Sequence, residues 1–186
     1  MATLEQQTRT VWTLDPAHSL VEFSARHMML TTVKGRFADV KGTIEADEAD
    51  PASSSVTLEI DAASIDTRSE QRDQHLRSAD FFDVERFPAI TFRSTRVEGE
   101  ARVAGDQLRV TGDLTIRDVT REFTLVVTFE GLGRDPWGGE RASYSAEAKL
   151  DRREFGLTWN QALEAGGVLV SNEIKLSFEI QAVKAG

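Results

Sequence analysis

The sequence predicts an all-β protein, a closed antiparallel barrel of eight strands with short helical inserts at about 68–78 and 159–165. Three observations lead there. The chain is a series of segments in which apolar and polar residues alternate, each with one apolar face. Several of these segments run about ten residues with mostly short connections, which suits antiparallel neighbours. Long strands with one apolar face also suit closure better than a flat sheet with exposed edges.

The first segment, 19–28, puts Val21, Phe23 and Ala25 on one face and Glu22, Ser24 and Arg26 on the other. The turn before it is marked by Asp15-Pro16. Residues 36–46 place Val40, Gly42, Ile44 and Ala46 against Lys41, Thr43 and Glu45. After the loop at 50–54, residues 55–63 align Val56, Leu58, Ile60 and Ala62.

The series is then interrupted. Thr67-Arg68-Ser69-Glu70 reads as a capping box that starts a polar helix whose main apolar residue is Leu76. Phe81, Phe82, Val84 and Phe87 follow, and Pro88 stops the helix. A polar helix with an aromatic foot suggests a lid, and the 64–87 insert is the candidate gate.

Residues 88–98 resume the alternation with Ile90, Phe92 and Ser94, and Gly105-Asp106 marks a hairpin turn. Residues 107–117 align Leu108, Val110, Gly112, Leu114 and Ile116, and 121–130 align Phe123, Leu125, Val127 and Phe129. A loop at 131–139 precedes 141–151, where Ala142, Tyr144, Ala146, Ala148 and Leu150 alternate. Thr158-Trp159-Asn160-Gln161 reads as a second capping box, whose helix ends at Gly166-Gly167. The last segment, 168–181, aligns Ile174, Leu176, Phe178 and Ile180.

An eight-stranded barrel either fills with side chains or holds one small ligand. The inward faces carry Ala25, Gly42, Ala46, Ala62, Gly112, Ala142, Ala146 and Ala148. Small inward residues leave volume for a dry cavity, with Phe81, Phe82, Trp159 and Leu163 at its mouths. The same residues also permit close sheet approach in a solid core, and the pattern alone leaves both readings open.

Composition narrows the function. The 186 residues form one domain over about 11–184, preceded by a polar, flexible tail at 1–10. A net charge of −9 argues against a nucleic-acid partner, since phosphate binding needs clustered Lys and Arg. The chain has no cysteine, so disulfides, thiolate metal sites and a cysteine nucleophile are excluded. The N-terminus has no apolar core of a secretory signal, so a cytoplasmic location is expected. No stretch approaches the ~20 apolar residues of a membrane-spanning helix.

His18 and His27 stand nine residues apart and face opposite sides of a continuous strand, so no metal site is expected. Arg68, Arg72 and His75 are spaced to share one helical face, and Arg offers bidentate geometry to phosphate. With His18 they are the head-group candidates, although Asp66, Asp73, Asp80 and Asp83 are near enough in sequence to pair with them. Asp15, His18 and Ser19 do not make a triad by proximity, because triad geometry is tertiary and no Gly-x-Ser-x-Gly elbow exists. No catalytic residues are assigned. The competing reading is a small-molecule hydrolase or isomerase in the barrel with a histidine as general base.

The order of several short motifs resembles the YceI-like, lipid (polyisoprenoid)-binding family. These are Asp15-Pro16-Ala17-His18-Ser19-Leu20-Val21-Glu22-Phe23, Lys34-Gly35-Arg36-Phe37, Ser64-Ile65-Asp66-Thr67-Arg68 and Arg72-Asp73-Gln74-His75-Leu76. Further matches are Phe87-Pro88-Ala89-Ile90-Thr91-Phe92, Gly112-Asp113-Leu114-Thr115-Ile116, Arg153-Glu154-Phe155-Gly156 and the closing stretch 173–180. The resemblance spans about Trp12 to Val183.

It implies a lipocalin-like barrel with a long apolar tunnel that binds an isoprenoid lipid for transport, storage or sequestration. Polyprenyl phosphates and prenylated quinones are the expected ligands, with no other cofactor. The implied tunnel lining is Phe23, Phe37, Ile44, Leu58, Ile60, Phe81, Phe82, Phe92, Leu114, Ile116, Phe155, Trp159, Leu163 and Phe178. Transient membrane contact and a homodimer are the further expected partnerships. Many relatives of this kind are periplasmic with a signal peptide, and this sequence differs from them in that respect.

Overall fold

The computed structural model describes residues 9–186. The strands in chain order are β1 (Arg9–Leu14), β2 (Leu20–His27), β3 (Thr31–Phe37), β4 (Val40–Asp47), β5 (Ser55–Asp61) and β6 (Ile65–Asp66). After helix α1 (Glu70–Arg77) come β7 (Ala89–Glu98), β8 (Gln107–Ile116), β9 (Val119–Arg134), β10 (Glu140–Asp151) and β11 (Glu173–Lys184). Eight strands close an antiparallel ring in the order β1-β4-β5-β7-β8-β9-β10-β11, sealed by β1 against β11. The expected polar tail falls mostly outside the described residues; Arg9 and Thr10 belong to β1.

β11 is shared between two partners. Its end pairs with β1 at Leu14↔Ala182, and its earlier part pairs with β2 at Leu176↔Phe23. Between β1 and β2 the chain bends through a 3-10 turn at Pro16–His18. Asp15 starts that turn by accepting a hydrogen bond from the Ala17 amide at 3.0 Å. β3 and β6 continue the sheet outward from β2.

An eight-strand barrel therefore holds, but its membership differs: β1, which is outside the expected set, closes the ring, whereas the expected first strand 19–28 is β2 and lies beside the ring on β11; β6 and most of β3 are also additional. The expected segment 36–46 is two strands broken at Ala38-Asp39. The β2–β3 turn escaped the sequence reading because its central residues are Met28 and Met29, both at positive φ (52° and 58°), where Gly or Asn is the usual signal. The last strand starts at Glu173 rather than at 168.

The two expected helices have different outcomes. α1 forms, but its cap is Ser69, whose hydroxyl accepts from the Arg72 amide. Thr67 makes no capping box with Glu70. Its hydroxyl donates to Asp73 Oδ1 at 2.5 Å and accepts from Arg72 Nε at 2.7 Å, and Asp73 is 4% exposed. Arg77 ties the helix to the barrel by donating to the carbonyls of Ala63 and Ile65.

No helix forms at 159–165. The Asn160 side chain instead exchanges two hydrogen bonds with the Val170 backbone, at 2.7 and 3.0 Å. That pairing holds the chain as a strap, turned at Gly166 and Gly167, where φ is 90° and 89°.

The inward faces are those the alternation marks, and they form one main buried cluster. Two of the small residues record close approach rather than open space. A Cβ on Gly42 would lie 2.6 Å from the Thr57 carbonyl oxygen, and one on Gly112 would collide with that of Arg93. Ala25, Ala46 and Ala146 border cavities instead.

Candidate functional site: two apolar chambers

The barrel interior is not filled. One chamber, of about 160 Å³, lies against β2, α1 and the strap. A second, of about 540 Å³, lies toward the opposite end, against β4, β10 and the loops around Pro51 and Ala101. Leu58, Phe92, Leu125 and Phe178 border both, so these four side chains form the wall between them. Each comes from a different strand of the ring, at the inward positions of β5, β7, β9 and β11.

The first chamber is the more apolar. Phe23, Phe37, Ile60, Phe81, Phe82, Leu114 and Ile116 of the predicted lining border it, in addition to Leu58, Phe92 and Phe178. Phe82 meets Phe37 edge-on at 5.7 Å between ring centroids, which ties the aromatic foot of the insert to the barrel. Ile44 lies on the second chamber.

Three predicted lining residues border neither chamber. Phe155 is 1% exposed and packed in the core beyond the cavity wall. Trp159 stacks edge-on against His75 at 4.6 Å and lies 5.4 Å from the Phe81 ring, outside it. Leu163 sits in the strap, at the turn closed by its amide on the Gly167 carbonyl. The last two were placed at the mouth by an expected helix that is absent.

The second chamber has a mixed rim with Asp47, Glu48, Glu100 and Arg102; Arg102 pairs with Glu100 at 2.6 Å. Tyr144 also borders it, and burial pushes its phenol above the ordinary pKa, so the hydroxyl keeps its proton.

The four head-group candidates do not converge, and none borders a chamber. His18 pairs with Asp15 at 2.9 Å on the surface. Arg68 precedes the helix at φ 62°, so the spacing to Arg72 and His75 does not make one face. Arg72 donates to the hydroxyl and carbonyl of Thr67 at 2.7 Å each. His75 pairs with Asp80 at 2.7 Å.

Ser19 donates to the Gln181 carbonyl and accepts from its amide, so its hydroxyl is directed to β11 and not to His18. Among the described residues, no group of His, Cys, Asp or Glu is arranged to hold a metal ion.

One charged residue borders the first chamber, and sequence reasoning missed it. Arg152 is 3% exposed. Its Nε donates to the Ser171 carbonyl at 3.0 Å and its Nη1 to the Leu157 carbonyl at 2.8 Å, while Nη2 has no partner. Burial pulls its pKa below the ordinary arginine value. A signal existed: the inward alternation from Ala142 through Leu150 reaches 152 at the next step.

Comparison with known proteins agrees with this architecture. A family model described as YceI-like domain matches residues 12–182. The protein named YceI from Salmonella newport is 38% identical over 167 residues, covering 90% of this chain and 82% of that one. The crystal structure of Burkholderia cenocepacia BcnA superposes with a TM-score of 0.76 at 24% identity, covering 90% of this chain and 98% of that chain. A structure described as a polyisoprenoid binding domain from Saccharophagus degradans, implicated in plant cell wall breakdown, gives 0.70 at 14% identity over 94% of this chain and 98% of that chain. The two structural likenesses concern the fold.

Proposed function

The chain belongs to the YceI-like domain family, and from that premise we propose that it is a lipid carrier or reservoir that holds an isoprenoid chain in its two chambers. The observation that carries the reading is the cavity itself. Two adjoining spaces of about 160 and 540 Å³ lie between inward apolar faces, the larger with a charged rim, where a solid core would have closed them. The description of the Saccharophagus degradans domain supports an isoprenoid as the occupant.

The energetics suit a carrier. Each CH₂ moved out of water gains about 0.8 kcal/mol, so a five-carbon isoprene unit gains up to about 4 kcal/mol before ordering costs. Taken from a bilayer, the same unit changes environment little. Selectivity then rests on shape and on polar contacts at one end of the chain.

The test is denaturing extraction of the purified protein followed by mass spectrometry. A prenylated species near one per protein is expected. Replacing Phe82 by Glu places a charge on the first chamber and should lower that occupancy severalfold in a protein that remains folded. An empty protein that long-chain prenols also fail to stabilise thermally would overturn the reading.

A further inference from the structure

The β2–β3 turn exposes three consecutive large apolar residues, Met28, Met29 and Leu30, the last of them 73% exposed. Other large apolar residues exposed among those described, such as Val103, Leu132 and Trp137, stand singly in the sequence, which is ordinary for a protein surface. Folding does not account for the run. Met28 and Met29 both hold positive φ, which methionine adopts at a cost, and neither is buried.

The strap runs beside this turn. The Met28 amide donates to the Leu169 carbonyl at 2.8 Å, and His27 bridges to Val170. Leu163, Val168 and Leu169 of the strap are half-buried. From Gly156 to Asn172 the only charged residue is Glu164. Turn and strap therefore form one apolar rim. Ala25 and Val170, from the same two segments, border the first chamber, so the rim adjoins that chamber.

Charge distinguishes this end of the molecule. The chain carries a net charge of −9, yet between Glu22 and Asp39 it has no acidic residue and three basic ones, Arg26, Lys34 and Arg36, all exposed. Arg36 pairs with Asp66 at 3.6 Å. Arg26 lies at the base of the turn, donating to the carbonyls of Met29 and Leu30. Neither Arg26 nor Lys34 pairs with a carboxylate among the described residues. The rim of the second chamber has the opposite character, with Asp47, Glu48 and Glu100 against Arg102.

We propose that the turn-and-strap end docks on an anionic lipid surface, with Met28, Met29 and Leu30 inserted among the headgroups and Arg26 and Lys34 drawn to the surface charge. A short apolar insertion flanked by basic residues supplies the two contributions that peripheral membrane binding combines. The acidic rim of the second chamber would be repelled by the same surface. Docking this way sets the first chamber beside the bilayer, where an apolar chain can pass between them with little exposure to water. The docking goes beyond the carrier reading and does not depend on what the chamber holds.

The test is flotation of the purified protein with phosphatidylcholine vesicles, prepared with and without phosphatidylglycerol. The protein is expected on the anionic vesicles and not on the neutral ones, with binding that weakens as salt rises. Lys34→Gln should lower the affinity about fivefold, the scale for one basic residue near such a surface. Met29→Glu with Leu30→Glu should lower it about tenfold or more, since the apolar insertion is lost. Met28→Asn with Met29→Gly suits the turn geometry and therefore folds, and it should lower binding severalfold. Trp137→Ala removes an exposed ring at the tip of the β9–β10 hairpin and should leave binding unchanged.

Equal binding to both kinds of vesicle, or anionic binding that survives both turn changes, would overturn the proposal. A wild type bound to neither would overturn it as well. If that protein instead self-associates through the turn in sedimentation, the patch belongs to a second copy of the chain. None of these outcomes bears on the carrier reading, which lipid extraction decides.

Discussion

Asp15 shows how one side chain joins distant parts of the chain. Its carboxylate accepts from the Ala17 amide at 3.0 Å and from Arg141 Nη1 at 2.6 Å, and it pairs with His18 Nδ1 at 2.9 Å. Arg141 also donates to Asp135 and Gln181, so the group links the barrel seam to the β9–β10 hairpin. The Arg141 hydrogen bond first, then that of His18, lowers the Asp15 pKa from 3.8 to about 2. The unfolded chain therefore takes up this proton before the folded one does. The stabilisation is complete above about pH 4 and is lost as the pH falls toward 2. Asp15→Asn should lower the thermal midpoint at neutral pH. It should also show a shallower loss of stability than wild type between pH 4 and 2 in melts followed by circular dichroism. Parallel acid curves would show that Asp15 does not contribute this term. Arg152 teaches a related lesson. Its period-2 position was legible, but its missing third partner was not, because hydrogen-bond satisfaction depends on segments far away in sequence.

At the scale of elements, the β2–β3 hairpin carries the clearest local conflict. The Leu30 amide donates to the His27 carbonyl at 3.0 Å, closing a turn whose two central residues, Met28 and Met29, both have positive φ. Such a turn favours Asn-Gly. Arg26 holds the unfavourable pair in place by donating to the carbonyls of Met29 and Leu30 at 3.0 and 3.2 Å. The two methionines are 41% and 58% exposed, so little packing offsets the backbone cost. The double change Met28→Asn, Met29→Gly should stabilise the protein by about 0.5–2 kcal/mol. At roughly 2–4 °C per kcal/mol for a domain of this size, a differential scanning melt resolves that gain. A lower midpoint would mean that methionine packing outweighs the backbone strain. The helical inserts failed or shifted for a similar local reason. Thr67 and Asn160 each had a better partner, in Asp73 and in the Val170 backbone, than the helix end that the motif suggested.

The whole molecule is organised by the wall between its chambers. Phe92 is 5% exposed and borders both spaces. Phe92→Ala should join them. The cost should be about 3 kcal/mol, at the low end for such a truncation because the ring already faces open volume. Saturating farnesol should then raise the variant's thermal midpoint more than the wild type's, since a ligand that fills the merged space stabilises only the folded state. An equal shift in the two proteins would show that the wall does not limit the ligand.

The strand faces were local properties. Alternation reports which side of a strand is apolar, so the inward residues from Val21 to Ile180 could be read from neighbours two positions apart. Tertiary structure alone decided the rest. Closure depends on Trp12–Leu14 meeting Ala182–Lys184 across nearly the whole chain, and no segment encodes that register by itself. The inward small residues also divided by place. Gly42 and Gly112 let strands approach, whereas Ala25, Ala46 and Ala146 border space. A cavity is the difference between the volume a ring encloses and the volume its side chains fill. That difference is set only when all eight strands are in place.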